Sequence, residues 1–395
     1  MTQCASFTLP RLFTTQEEDA LCGHRRWLHA NPELAFKELR TSDYVTTQLE
    51  SFGLTPERGL AGTGVVATVV GQTEGRSVGL RADMDALPVL EMTGLAHGSR
   101  HEGIMHACGH DGHTAMLLGA AKLLSEDRDF PGKIHLVFQP AEEQEGGGRV
   151  MVEDGLFDRY PMDAIFAIHN WPGLAKGHVA VMPGPMMASF DVFDITLRGA
   201  GGHSAMPHKV DDVVVCGSGI VTALQTIVSR RLDPMQCGVM SITQVNSGSA
   251  YNVLADTFVL RGSCRTLSSA VQDEIESSMH RIVGGIASAF NIHADVRYER
   301  RLPATINDPN CATLAAVCAE QLFGSDRVHT GMVPSMASED FSFMLQRCRG
   351  AYLWLGIGEQ HAPLHSSHYD FEDGVIADGS RLLATLALTA LREGK

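Results

Sequence analysis

The chain has 395 residues, of which 44% are hydrophobic and 19% are charged. This balance is typical of a globular protein and excludes disordered, collagen-like and coiled-coil classes, and the length favours two domains over one. The 46 acidic residues outnumber the 31 basic ones, and the net charge of −15 disfavours nucleic acid and anionic membranes as partners. The nine cysteines lie scattered without a CxxC pair, and no leader pattern or long apolar stretch is visible, so we predict a cytoplasmic protein.

The first part of the chain predicts an α/β domain. Leu21–Phe52 has apolar residues at helical spacing and is interrupted by Asn31-Pro32, which predicts two helices. The predicted helix His113–Leu124 lies among short β-branched runs that predict the strands Gly64–Val70, Ser77–Leu80, Ile134–Phe138 and Ala164–Ile168. Apolar strands that alternate with helices indicate a mostly parallel sheet covered on both faces.

The middle of the chain predicts an inserted second domain. Its predicted order is strand, helix, strand, strand, helix, strand: Phe190–Arg198, Asp211–Arg230, Gly238–Val245, Val253–Arg261, Ser268–Phe290 and Ile292–Tyr298. This β-α-β-β-α-β order is that of a ferredoxin-like domain. The α/β pattern resumes with helix Cys311–Phe323 and strand Ala351–Leu355. We therefore predict a discontinuous α/β domain of residues 1–186 and 306–395 and an inserted domain of residues 187–305.

Four short stretches carry residue types that bind metal ions. Cys108 and His110 lie two residues apart in a predicted glycine-containing loop, and Glu143 and His169 follow neighbouring predicted strands, while His365 lies near the end of the chain. Thiolate, imidazole and carboxylate donors suit zinc or a similar first-row ion. Because five donors exceed the need of one tetrahedral ion, a two-metal site is the economical interpretation.

Carboxylates beside these stretches predict supporting and proton-transfer roles. Adjacent residues of an extended backbone point to opposite sides, so Glu143 can bind metal while Glu142 acts as general base on the reacting water. Asp83 or Asp85 can orient a ligating histidine. Each residue taken singly is more often a packing or surface residue than a ligand. The remaining histidines of the two histidine-rich stretches are interpreted mainly as bystanders: His97, His101, His113, His361 and His368.

Seven stretches together resemble the M20 metallopeptidase family, in that family's order. They are Arg25–Leu34, Arg81–Pro88, His106–Asp111, Phe138–Glu143, Gly202–His208, Ser338–Phe341 and Leu364–His365. Within the family the sequence is most similar to the amidohydrolase branch of aminoacylases, hippurate hydrolases and auxin-conjugate hydrolases. The resemblance implies an aminopeptidase-like α/β catalytic domain with an inserted ferredoxin-like α+β lid that dimerises.

The resemblance also implies residue roles in the catalytic domain. It implies two divalent ions per subunit (Zn, Mn, Ni or Co), with Cys108 as the bridge and Glu142 as the general base. Asp85 matches the supporting carboxylate position better than Asp83. The implied ligands are Cys108, His110, Glu143, His169 and His365.

Three lid residues complete the implied site. His203 matches a histidine that reaches across the dimer to the scissile carbonyl, where a donor would stabilise the oxyanion. Asn252 and Arg265 match positions that help hold the substrate carboxylate. Ala255 and Ser367 stand where relatives commonly have proline, and neither is a ligand position.

These observations predict a metal-dependent amidohydrolase that cleaves small N-acyl or N-aroyl amino acids into a carboxylate and a free amino acid. The predicted partners are this substrate and a second copy of the chain, bound through the lid, with neither nucleic acid nor membrane. A dipeptidase or carbamoyl-amide hydrolase would use the same metal ligands. A cysteine-nucleophile hydrolase would instead use Cys108 with His110 as its base, and a binding protein would lack catalysis. The sequence leaves the preferred acyl group, the amino acid and the metal open.

Overall fold

The computed structural model describes residues 9–143 and 146–392. The chain divides into two compact units, each with its own apolar core. The first unit contains Met1–Met186, Ile306–Val333 and Asp340–Lys395, and the second contains Met187–Thr305 and Pro334–Glu339.

Helices and strands alternate through most of the described chain. The helices are α1 (Thr15–Ala30), α2 (Leu39–Ser51), α3 (His110–Glu126), α4 (Gly147–Glu153), α5 (Leu156–Arg159), α6 (Val213–Thr226), α7 (Ser269–Ala289), α8 (Pro309–Phe323), α9 (Phe341–Leu345) and α10 (Ile376–Ala390). The strands are β1 (Glu57–Leu60), β2 (Gly64–Val70), β3 (Thr73–Asp83), β4 (Pro131–Gln139), β5 (Ala164–Pro172), β6 (Val179–Ala180), β7 (Gly184–Met187), β8 (Phe190–Arg198), β9 (Gly202–His203), β10 (Gly238–Ser247), β11 (Val253–Leu254), β12 (Thr257–Thr266), β13 (His293–Leu302), β14 (Thr305–Asn307), β15 (Val328–His329) and β16 (Gly350–Gly358).

Within the described residues, eight strands of the first unit form one mixed sheet in the order β1-β2-β4-β3-β5-β16-β6-β15. Its central strands β4, β3, β5 and β16 run parallel, and antiparallel pairs flank them on both sides. β5 and β16 are buried along most of their length because helices cover the sheet, which explains their continuous apolar sequences. The predicted α/β class with a mostly parallel sheet is confirmed.

One edge of this sheet gathers polar side chains. The parallel strands β4, β3 and β5 end there at Gln139, Asp83 and Pro172. Helix α3 begins at His110, three residues earlier than predicted, because Gly109 takes the left-handed conformation at its N-cap. His110 therefore lies in the first helical turn and not in a loop.

The second unit has a four-stranded antiparallel sheet in the order β10-β12-β8-β13. Its elements follow one another as β8-α6-β10-β12-α7-β13, which is the ferredoxin-like order, so this part of the predicted fold is confirmed. The predicted strand Val253–Arg261 is wrong at its start. Val253 and Leu254 pair with β9 instead, and the sheet strand β12 begins at Thr257.

Helix α6 continues into a π-helical turn, Ile227–Arg231. The joint segment Val213–Arg231 is the one helical segment of the described residues that is long and apolar enough to cross a membrane by length and composition alone. A third of it is buried. Its buried side chains belong to the core of the second unit: Val213, Cys216, Ile220, Leu224 and Ile227. The segment is therefore also explained as a core helix of the ferredoxin-like unit.

Candidate metal centre

The first unit brings the five predicted metal ligands together. Cys108 and His110 stand at the start of α3, Glu143 follows β4, His169 lies on β5, and His365 comes from a loop near the end of the chain. The Sγ of Cys108 lies 3.5 Å from Nε2 of His169. The Oε1 of Glu143 lies 3.3 Å from Nε2 of His365 and 3.8 Å from Nε2 of His110. These side chains thus form one connected group of nitrogen, oxygen and sulfur donors.

Several donor atoms of this group make no hydrogen bond to described residues outside the group. Nε2 of His110 is buried without a hydrogen-bond partner among the described residues, and the buried Oε1 of Glu143 faces other predicted ligand atoms, those of His110 and His365. His169 donates from Nδ1 to the Asn170 carbonyl at 2.7 Å, so the lone pair of its Nε2 is free to face Cys108. Because unpaired buried polar atoms are costly, this arrangement fits bound divalent ions.

Asp85 and Asp83 occupy different positions in the site. Asp85 accepts from Nδ1 of His110 at 3.1 Å and from the backbone N–H of Glu143 at 3.0 Å. Asp83 pairs instead with Arg81 at 2.6 Å and with Nδ1 of His113 at 2.6 Å. Asp85 is therefore the carboxylate in direct contact with two predicted ligands.

The electrostatics of the site favour a cation. Burial opposes a charge on His110, but the carboxylates of Asp83, Asp85 and Glu143 outweigh it and raise the pKa of His110 to about 10. Burial, followed by the charges of Glu143 and Glu142, raises the pKa of the Cys108 thiol well above its usual value. An activated cysteine nucleophile needs a lowered thiol pKa, so this environment does not favour the cysteine-nucleophile alternative.

His113, interpreted as a bystander from the sequence, lies inside the site. Its Nδ1 donates to Asp83, and its Nε2 accepts from the backbone N–H of Asn170 at 3.0 Å. Both ring nitrogens are therefore used, which leaves none for a metal ion even though His113 lies close to His110 and His169.

Asn170 is a second residue whose contacts the sequence did not indicate. Its side-chain amide donates to the carbonyl of Cys108 at 2.9 Å and accepts from the hydroxyl of Tyr369 at 2.8 Å. With its backbone it also contacts His169 and His113. Asn170 thus links the ligand-bearing end of β5 to the loop before α3.

A buried ion-pair network lies next to the site and anchors the start of α3. Arg25 of α1 is fully buried and donates to Asp111 at 2.9 Å, and it also pairs with Asp370. Asp111 accepts in addition from Nδ1 of His29 at 2.8 Å. His97, another predicted bystander, lies 2.9 Å from the guanidinium of Arg25. Removing one member of such a network would leave a buried charge unpaired.

Gly109 is expected to tolerate no side chain. Its φ is +93°, and a Cβ there would lie 2.2 Å from Oδ1 of Asn170 and 2.6 Å from the hydroxyl of Tyr369. We expect Gly109→Ala to lower the free energy of unfolding by about 3 kcal/mol or more, measured by urea denaturation, because strain and a clash add.

Gly94→Ala is the matched control for this change. Gly94 also has a positive φ, +71°, but a Cβ there would meet nothing within 4 Å. Its substitution should cost only about 1 kcal/mol, the backbone contribution alone. Equal losses of unfolding free energy in the two variants would show that the close approach of Asn170 and Tyr369 to Gly109 adds nothing to the cost of the substitution.

The second unit contains the three predicted lid residues. His203 is exposed on β9, next to β11, and its Nδ1 accepts from the backbone N–H of Ala205 at 3.1 Å, so Nε2 carries the proton as a donor. Asn252 is exposed, and its carbonyl accepts from the N–H of Ser204. Arg265 is partly buried and donates to Ser338 at 2.7 Å, with its guanidinium over the ring of Phe190.

Comparison with known proteins places this arrangement in a family. Residues 79–389 match the family model described as peptidase family M20/M25/M40. The chain is 38% identical to hippurate hydrolase of Campylobacter jejuni, over 97% of this chain and 99% of the relative. It is 39% identical to N-acetyl-L-cysteine deacetylase of Bacillus subtilis, over 91% of this chain and 85% of the relative.

A solved structure agrees with these sequence relatives. The fold matches a Bacillus subtilis protein described as a dinuclear metal binding peptidase from the M20 family, with a TM-score of 0.85 and 31% identity. The match covers 96% of this chain and 99% of that chain. The family resemblance seen in the sequence motifs is confirmed. The chain belongs to peptidase family M20/M25/M40.

Proposed function

We propose that this protein is a metal-dependent amidohydrolase that cleaves the amide bond of small N-acyl amino acids, such as N-acetyl or N-benzoyl derivatives. The observation that carries the proposal is the group of five donors, of which Cys108, His110 and His169 are buried, with Glu142 beside it. Relatives named as hippurate hydrolase, N-acetyl-L-cysteine deacetylase and N-acyl-L-amino acid amidohydrolase support the substrate class.

The proposed cofactor is a pair of divalent ions (Zn, Mn, Ni or Co), held by Cys108, His110, Glu143, His169 and His365. Two such ions, when bound, polarise the amide carbonyl and make the attacking water more acidic. Asp85 keeps His110 and Glu143 oriented through its two hydrogen bonds. Cys108 is proposed as the bridging ligand.

Glu142 is the proposed general base. Its carboxylate lies within 4.8 Å of ligand atoms of His110 and Glu143, and its Oε1 accepts from the backbone N–H of Asp340 at 3.4 Å. This bond holds the carboxylate beside the predicted metal ligands, where it can take the proton of the attacking water. The same group can then deliver that proton to the leaving amine.

Residues 187–305, the larger segment of the second unit, are proposed as a lid and dimerisation domain. Exposed apolar side chains support this role: Val214 and Val215 lie on α6, and Val245 lies on the edge strand β10. We propose that His203 stabilises the oxyanion across the dimer and that Asn252 and Arg265 hold the substrate carboxylate. The N–H on Nε2 of His203 suits that task.

Metal removal combined with a substrate panel tests the proposal. The protein is assayed on N-acetyl, N-benzoyl and indoleacetyl amino acids, on dipeptides and on N-carbamoyl amino acids, with the metal content measured alongside. We expect hydrolysis of the acyl compounds, its loss after chelation and its return with Zn, Mn, Co or Ni. Preference for dipeptides or carbamoyl compounds would favour those alternatives, and activity that survives complete metal removal would contradict the proposal.

A further inference from the structure

Glu38, the residue before α2, is a buried carboxylate that contacts the loop after β4. Its Oε1 accepts from the backbone N–H groups of Phe36 and Ala141, both at 3.0 Å. Its Oε2 accepts from the hydroxyl of Thr63 at 2.7 Å. Burial raises the pKa of Glu38 to about 7, although the bond from Thr63 opposes the rise. The side chain is thus shielded from water and depends on these donors.

Both backbone donors to Oε1 belong to residues in a disfavoured conformation. Phe36 has a φ of +59° and Ala141 a φ of +57°, the left-handed region that residues with a Cβ seldom adopt. Such a conformation persists only where surrounding contacts hold it. For each of the two residues, the hydrogen bond from its backbone N–H to Oε1 of Glu38 is one such contact.

Ala141 directly precedes the two carboxylates of the proposed site. Its carbonyl accepts from the N–H of Gly147 at 2.8 Å, and a Cβ on Gly147 would lie 1.8 Å from the carbonyl oxygen of Pro140. The chain is therefore tightly turned at this point. A change of φ at Ala141 would redirect the following Glu142 and Glu143.

We propose that Glu38 is a positioning residue for the reaction: it holds Ala141 in the left-handed conformation and so sets the direction of Glu142 and Glu143. It acts through the backbone of the loop. The inference rests on the proposed function for the roles of Glu142 and Glu143, whereas the loop geometry is independent of that function.

Glu38→Met tests the proposal because it keeps the bulk of the side chain and removes both acceptor oxygens. We expect the affinity for Zn²⁺, measured by titration of the metal-free protein, to fall roughly 10- to 100-fold, the range that is typical when a residue supporting the metal ligands is replaced. We expect kcat to fall similarly, with KM within about threefold. Glu38→Gln keeps an oxygen that can accept from the Ala141 N–H, and Thr63→Val removes only the bond to Oε2 of Glu38. The Zn²⁺ affinity and kcat of both variants should therefore stay within about threefold of the wild-type values.

A double-mutant cycle with Ala141→Gly separates positioning from general stabilisation. Glycine adopts the left-handed region freely, so the loop should then depend less on Glu38. We expect the fold-losses of Zn²⁺ affinity and of kcat caused by Glu38→Met to be at least about fivefold smaller when residue 141 is glycine than when it is alanine. A lower melting temperature with unchanged Zn²⁺ affinity and kcat, or equal losses in both backgrounds, would overturn the proposal.

Amide hydrogen exchange in the wild-type protein keeps the test valid if Glu38→Met does not fold. The Ala141 amide should exchange at least 100-fold more slowly than exposed loop amides. Exchange as fast as those amides would overturn the proposal by itself. If the wild type hydrolyses no compound of the substrate panel, the proposed function fails, while the Zn²⁺ affinities and the exchange rates still decide the role of Glu38.

Discussion

Replacement of Glu142 by glutamine is expected to lower kcat by roughly 10²- to 10⁴-fold, with KM and metal content close to wild type. Glutamine keeps the size of the side chain and an oxygen that can accept the 3.4 Å bond from the N–H of Asp340. It cannot take a proton from water at neutral pH. Steady-state kinetics on an N-acyl amino acid that the wild type cleaves well, with metal analysis of both proteins, measure this effect.

Glu153→Gln is the matched control for this substitution. Glu153 ends α4, close to Glu142 in sequence, and its side chain is exposed beside Arg149. The same loss of charge there should leave kcat and metal content unchanged, because exposed ion pairs contribute little. Hydrolysis by Glu142→Gln within a few-fold of wild type would refute the base assignment. Loss of metal from that variant would make Glu142 a ligand.

The fold was predictable where local sequence and burial agree. The strands β2 and β5 have continuous apolar sequences because both faces of the sheet are covered, so their positions follow from hydrophobicity alone. The start of α3 does not follow from hydrophobicity, because it depends on the left-handed conformation of Gly109. The start of the predicted strand Val253–Arg261 is wrong because Val253 and Leu254 pair with β9, and this tertiary contact leaves no local signal in the sequence.

The site was predictable only in part, for a related reason. Cys108, His110 and the pair Glu142-Glu143 stand in short motifs whose spacing is visible in one sequence. Their supporting contacts join distant parts of the chain. The hydroxyl of Tyr369 reaches Asn170 across 199 residues, and Glu38 reaches Ala141 across 103 residues. The spacing of residues along the sequence does not predict such long-range hydrogen bonds, so these contacts are visible only in the folded structure.

Substitution of Cys108 separates the metal-dependent mechanism from a cysteine nucleophile. Cys108→Ser should lower Zn²⁺ affinity by more than the roughly 10- to 100-fold typical of a supporting residue, because the thiolate would contact the ions directly. Hydrolysis should fall by at least about 100-fold. Cys108→Asp supplies a carboxylate that can also bind zinc, so it should retain more metal and more activity than the serine variant.

A cysteine nucleophile predicts a different order of activities. Neither serine nor aspartate could form a thioester, so both variants would be equally inactive. Their activity would not depend on how much metal each variant retains. Cys216→Ser is the control, because Cys216 is a buried thiol in the core of the second unit. It should alter stability but not Zn²⁺ affinity. Greater activity of Cys108→Asp than of Cys108→Ser, in proportion to the zinc each variant retains, is the result that only a ligand role for Cys108 explains.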